Sequence, residues 1–148
     1  MRNLVLLCGL ALSLNSLAND VTYRKDIRPL WEEKCQACHG ADSPSLAEFE
    51  ANEEHFTLLS RGPRMDSYGN LIAYTGWPDT GALMRRLDDG KNTSDGKPGN
   101  MYLHLGAEEG ERQANLARFK AWLGEGGWFL GKFKDLDKAT LEKIRVPE

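Results

Sequence analysis

Apolar residues in this chain recur mostly at helical spacing. Ile27, Leu30, Trp31 and Lys34 fall on one face, with the Lys34 stem able to cover apolar surface. Asp26 stands as a cap, and Pro29 falls in the first turn, where a missing N–H is harmless. This predicts a helix from Ile27 that delivers residues 35–39 at its C-terminal end and stops at Gly40. Leu46, Phe49, Phe56 and Leu59 carry the same spacing across Ser45–Ser60. Asp79 or Thr80 caps a short helix through Leu87, with Gly90 beyond it. Glu108, Glu109 and Glu111 open a long helix whose buried stripe is Leu116, Phe119, Trp122 and Leu123; Gly124, Gly126 and Gly127 end it. A short helix is predicted over Leu136–Ile144. Only Leu71–Tyr74, after the turn Tyr68-Gly69-Asn70, reads as a short extended piece. Arg61–Pro78 and Lys91–Asn100 read as long loops, the first of a kind that wraps a functional group. The predicted fold class is all-α, a small helical domain with long loops.

The first residues set the compartment. Arg2, the apolar run Leu4–Leu14 and Ser16-Leu17-Ala18 form an export leader, with cleavage expected after Ala18. The run is too short for a typical membrane span, and no later stretch is apolar enough to be one. The divisions expected are 1–18 as signal peptide, 19–130 as one domain and 131–148 as a C-terminal helical extension packed on or beside it. The leader removes Cys8 and, among charged residues, only Arg2, so the formal charge moves from −3 to −4. That balance argues against nucleic acid or an anionic membrane as main partner.

Two cysteines remain, in Cys35-Gln36-Ala37-Cys38-His39-Gly40. Thiols three apart with an imidazole immediately after them read as a c-type haem attachment site. On one helical turn, positions 35, 38 and 39 share a face, so two sulfurs can meet the haem vinyl groups and one ring nitrogen the iron. A disulfide, half of a zinc site and a thiol redox pair compete with this reading. Zinc needs a second ligand pair, and His55 and His104 lie far apart in sequence; a thioredoxin-like pair needs a βαβ context. The reading adopted is one covalent haem c held by Cys35 and Cys38, with His39 as proximal iron ligand. Such a group also supplies apolar packing that an exported domain without disulfides lacks.

One histidine leaves an axial position open, for which Met65, Met84, Met101, His55 and His104 are candidates. Met84 sits in a helix beside Leu83 and Leu87, where core packing is ordinary. His55 follows two acids and reads as a surface residue. Met101 lies on a loop just before the long helix, placed to aim at a fixed target, and is the expected distal ligand, with Met65 and His104 as alternatives. Residues 41–60 hold five acids and no Lys or Arg, which reads as a solvated helix face or as a docking patch for a basic partner.

With these residues in place, the chain resembles a class I monohaem cytochrome c of a widespread bacterial periplasmic branch. The resemblance rests on Tyr23–Leu30 ahead of Cys35–Gly40, on Leu83–Leu87 as middle helix, on Met101 as methionine ligand and on Phe119–Gly127 as terminal helix. Tyr102 stands where the branch usually has proline, and Ala41–Pro78 is longer and more acidic than in compact versions. The resemblance implies terminal helices that cross, with Leu30 and Trp31 against Phe119, Trp122 and Leu123. It implies an electron carrier rather than an enzyme: a periplasmic, monomeric protein with His/Met-ligated haem, shuttling single electrons between respiratory partners through transient contacts. The whole chain is also similar to cytochromes linked to iron(II) or sulfur oxidation. A haem enzyme or ligand sensor with an open sixth position is the competing class, motivated by Tyr102 and by the glycine-rich loop before Met101.

Overall fold

The computed structural model describes residues 21–148. The leader and its expected cleavage after Ala18 lie outside the described residues. All regular elements among the described residues are helical, and none is long and apolar enough to cross a membrane. The α-helices are α1 Arg28–Lys34, α2 Gln36–His39, α3 Leu46–Ala51, α4 Glu53–Leu58, α5 Tyr68–Ile72, α6 Ala82–Leu87, α7 Glu109–Leu123 and α8 Lys138–Leu141.

The chain enters α1 through a π-type turn, Tyr23–Ile27, so helical structure begins four residues before the expected Ile27. Thr22 caps it by accepting from the Lys25 N–H, and Asp26 accepts from the Thr22 N–H at 2.9 Å. Asp26 is therefore the reciprocal partner of a cap rather than the cap itself. Ser45–Ser60 is two helices, because Asn52 leaves helical geometry (φ −151°, ψ 54°). Leu71–Tyr74 is not extended: Ser67 accepts from the Asn70 N–H and starts α5 one turn earlier. The residue before α6 is Gly81, at φ 70°, a left-handed backbone that suits glycine rather than Asp79 or Thr80.

One apolar cluster joins these elements. Tyr23, Ile27, Leu30 and Trp31 meet Leu116, Phe119, Trp122 and Leu123 of α7, with Leu71, Tyr74 and Met84 in the same cluster. The N-terminal contact with α7 comes largely from the Tyr23–Ile27 turn, where the Tyr23 and Trp122 rings lie 6.3 Å apart. Lys34 Nζ to Glu111, at 2.6 Å, ties the end of α1 to the start of α7. The segment after α7 returns to this core. Pro147 O accepts from Trp122 Nε1 at 2.8 Å and from Tyr23 N at 2.9 Å, and Val146 O accepts from the Tyr68 hydroxyl at 2.7 Å.

Two buried carboxylates hold the loop between α6 and Met101. Asp88, fully buried, accepts from Gly90 N, Asn92 Nδ2 and Trp128 Nε1 at 2.7–2.8 Å. Asp89 accepts from Lys91 and Gln113 at 2.7 and 3.0 Å. Burial pushes both carboxyls up, but these hydrogen bonds outweigh it, and Asp89 falls to about 2. A folded pKa below the unfolded value near ~3.9 stabilises fully above that value and is lost as pH falls through the folded one. The melting temperature should therefore drop between about pH 4 and 2, with Asp89 alone accounting for up to about 2 kcal/mol. Asp89→Asn should flatten that part of the profile, read by thermal melts at each pH; an unflattened profile would remove Asp89 from the account.

Candidate functional site

α1 ends where Cys35 N donates to Trp31 O at 2.8 Å, and α2 carries the remainder of the motif. His39 closes α2 and is buried, 9% exposed. Its Nδ1 lies 2.7 Å from Pro63 O, the backbone acceptor that orients the ring. With the proton on Nδ1, the Nε2 lone pair remains free for a metal. Burial lowers the imidazole pKa, opposed by the Pro63 hydrogen bond, and a contribution from the charge on His104 lowers it further. The neutral, ligating form of the ring is the one this environment favours.

The Gly62–Met65 loop fits closely around this ring. Gly62 N donates to Cys38 O at 2.8 Å and Met65 N donates to His39 O at 2.9 Å, while the Ser43 hydroxyl donates to Cys38 O at 2.9 Å. A Cβ on Gly62 would stand 2.6 Å from His39 Nδ1 and 2.9 Å from Nε2, so only glycine allows this approach.

Neither sulfur is in a disulfide; Cys35 is half-buried and Cys38 exposed. Desolvation, with Cys38 adding to it, pushes the Cys35 thiol up to about 12. A thiol redox pair needs a lowered pKa at its attacking sulfur, and Cys35 has the opposite shift. Among the described residues, no three His, Cys, Asp or Glu side chains converge as a metal-binding group. What the motif offers is one buried neutral imidazole and two unpaired sulfurs on adjoining turns. One more feature lies on α1: Trp31 Nε1 is a buried side-chain donor without a partner among the described residues. A buried donor left unpaired by the described residues can be satisfied by a bound group or an ordered water. The donor set and this unpaired group fit a covalently bound haem.

The sixth-ligand candidates separate in space. Met84 is fully buried in the core, and His55 is exposed with its ring against Phe56. Met65 lies half-buried at the end of the loop that holds His39. Met101, half-buried against the core, precedes the 3₁₀ turn Tyr102–Leu105 and donates its N–H to Arg86 O at 2.9 Å. His104 sits in that turn, exposed.

Tyr102, which replaces the proline usual after the methionine, is buried; its hydroxyl lies 2.6 Å from Glu109 and accepts from Gln113 at 2.8 Å. The Met101 backbone is thus tied to α6 on one side and, through Tyr102, to α7 on the other. Pro63, Gly62 and Tyr102 were outside the sequence-based site. Pro63 and Gly62 lie more than 20 residues past the motif in a loop, and Tyr102 reads as a mere departure until its hydroxyl partners are seen.

Comparison with known proteins agrees with this geometry. The family model described as PccH cytochrome c matches residues 22–147. Among solved structures, the chain is similar to the monoheme cytochrome PccH from Geobacter sulfurreducens: 56% identity, a TM-score of 0.81, and coverage of 87% of this chain and 99% of that one. No curated protein matches. A match across nearly the whole described chain, on a helical fold built around a single attachment motif, places this chain in the PccH cytochrome c family, whose members carry one covalently bound haem c.

Proposed function

We propose that this chain is a periplasmic electron carrier in which Cys35 and Cys38 hold the haem, His39 is its proximal ligand and Met101 its distal ligand. Family membership supports the carrier role in general. The observation that carries the specific reading is the buried His39 ring, its Nδ1 fixed on Pro63 O and its Nε2 left free beside two unpaired sulfurs. When bound, the haem supplies a one-electron couple. The chain's part would be to orient the two ligands and exclude water: α2 and the Gly62–Met65 loop hold the imidazole, and the bonds of Met101 and Tyr102 to α6 and α7 hold the segment that would present the thioether. With His39 and Met101 both bound to the iron, no position would be left for a substrate, which would favour valence change over ligand chemistry, and a Met/His pair would raise the potential. Its partners are respiratory redox proteins, met through small transient interfaces.

The test is the oxidised near-infrared spectrum of the holoprotein together with carbon monoxide addition to the reduced form. A sulfur-to-iron charge-transfer band and no rapid CO binding are expected. Rapid CO binding without the band would replace this reading with an enzyme or sensor. Cys35→Ser and Cys38→Ser should each leave a single thioether, seen by mass spectrometry and by a shifted pyridine haemochrome, with holoprotein yield sharply reduced. Normal maturation of both single variants with two thioethers would show that attachment lies elsewhere.

A further inference from the structure

Helices α3 and α4 contribute little to the core. Neither helix contains a buried residue. Leu46 packs against the cluster, and Phe49 stacks on Phe56 at 6.3 Å. At the end of α4, however, Leu58 and Leu59 stand 79% and 57% exposed. Glu50, Glu53 and Glu54 on the same two helices are exposed as well. None of the five acids in residues 41–60 is in an ion pair among the described residues. A face that is merely solvated explains the acids but not two adjacent leucines in water.

This segment also abuts the attachment motif. Arg61 N donates to Phe56 O at 2.8 Å, Arg61 Nη1 reaches Ala37 O at 3.5 Å, and Gly62 N donates to Cys38 O. Leu59 and Gly62 are three peptide units apart, no more than about 11 Å. Ala37 and Cys38 are themselves exposed. The leucines therefore lie close to the exposed edge of the motif.

We propose that Leu58 and Leu59, with Glu53 and Glu54 of the same helix beside them, form the docking surface for a redox protein that presents an apolar contact ringed by Lys and Arg. This rests on the electron-carrier reading. The uncompensated carboxylates steer a cationic partner and raise its encounter rate, and the leucines give a small apolar contact that releases quickly. Partners of the same sign are disfavoured by the same carboxylates.

Stopped-flow electron exchange of the holoprotein tests it, using a lysine-rich mitochondrial-type cytochrome c and, separately, a small outer-sphere cobalt complex. The rate with the cytochrome should fall steeply as salt shortens screening below ~10 Å. Glu53→Lys/Glu54→Lys should slow it roughly tenfold at low salt, and Leu58→Ser/Leu59→Ser should slow it several-fold with the salt slope kept. Both double variants should match the parent with the cobalt complex. Parent-like rates with both reagents would overturn the docking surface alone. Failure of the parent to exchange electrons with the small complex would overturn the carrier reading and the surface with it. A changed absorption spectrum in the leucine variant would assign the leucines to cofactor packing, and a concentration-dependent dimer lost in that variant would assign them to a second copy; either result overturns the proposal.

Discussion

Gly62→Ala is expected to abolish stable low-spin haem while leaving covalent attachment intact. The added methyl would stand 2.6 Å from His39 Nδ1 and 2.9 Å from Nε2, distances that real side chains do not tolerate. Neither side yields easily. Rotating the ring breaks the Pro63 hydrogen bond, and lifting the loop breaks the bonds from Gly62 N to Cys38 O and from Met65 N to His39 O. Overpacking and the lost hydrogen bonds together cost about 3 kcal/mol. The oxidised protein should turn high-spin by absorption, with its melting temperature lowered and both thioethers still seen by mass spectrometry. Gly110→Ala is the control, because nothing lies within 4 Å of its added carbon; it should leave the spectrum unchanged and stabilise α7 slightly. A low-spin spectrum in Gly62→Ala would mean that the loop does not hold the ring.

The Cys-x-x-Cys-His motif is local: three chemically distinctive residues within one helical turn stand out by their spacing. Its support is not local. Gly62 and Pro63 belong to a loop whose only sequence mark is two common turn residues, and the contact with His39 exists because α3 and α4 turn the chain back.

Helices followed the same rule. The stripe Leu116, Phe119, Trp122 and Leu123 spans enough turns for its period to be unambiguous, and α7 runs Glu109–Leu123 much as that stripe implies. Leu71–Tyr74 is four residues long, too short for periodicity to separate helix from strand, and the deciding group, the Ser67 hydroxyl, was read as loop. At the N-terminus, the composition of the turn marks Asp26 as a capping group, but which member of the reciprocal pair is the cap depends on the Tyr23–Ile27 turn, where Thr22 takes that place. Asn52, which splits Ser45–Ser60, gives no stronger signal than any polar residue on an exposed face.

Met101→Ala should produce the largest spectroscopic change of any single substitution that leaves the proximal side intact. Its backbone is held by Arg86 O, and the neighbouring Tyr102 ring is locked by Glu109 and Gln113, so removing the side chain should not move the loop. The variant should lose the sulfur-to-iron band and bind CO when reduced. Met101→His should stay six-coordinate and low-spin, because imidazole also fits an axial site, but its potential should fall, since a thioether favours ferrous iron more than imidazole does. Each ~59 mV of that fall shifts a one-electron equilibrium tenfold, so exchange with an unchanged acceptor slows accordingly. Met84→Ala separates stability from ligation: fully buried in the core, Met84 should cost about 2–5 kcal/mol on truncation with the potential almost unchanged. Met65→Ala tests the other sulfur near His39. If the band survives in Met101→Ala and vanishes in Met65→Ala, the distal side is supplied by the segment after Pro63. If the parent never shows the band and its spectrum is that of two imidazoles, His104 takes the sixth position and the expected potential is lower from the outset.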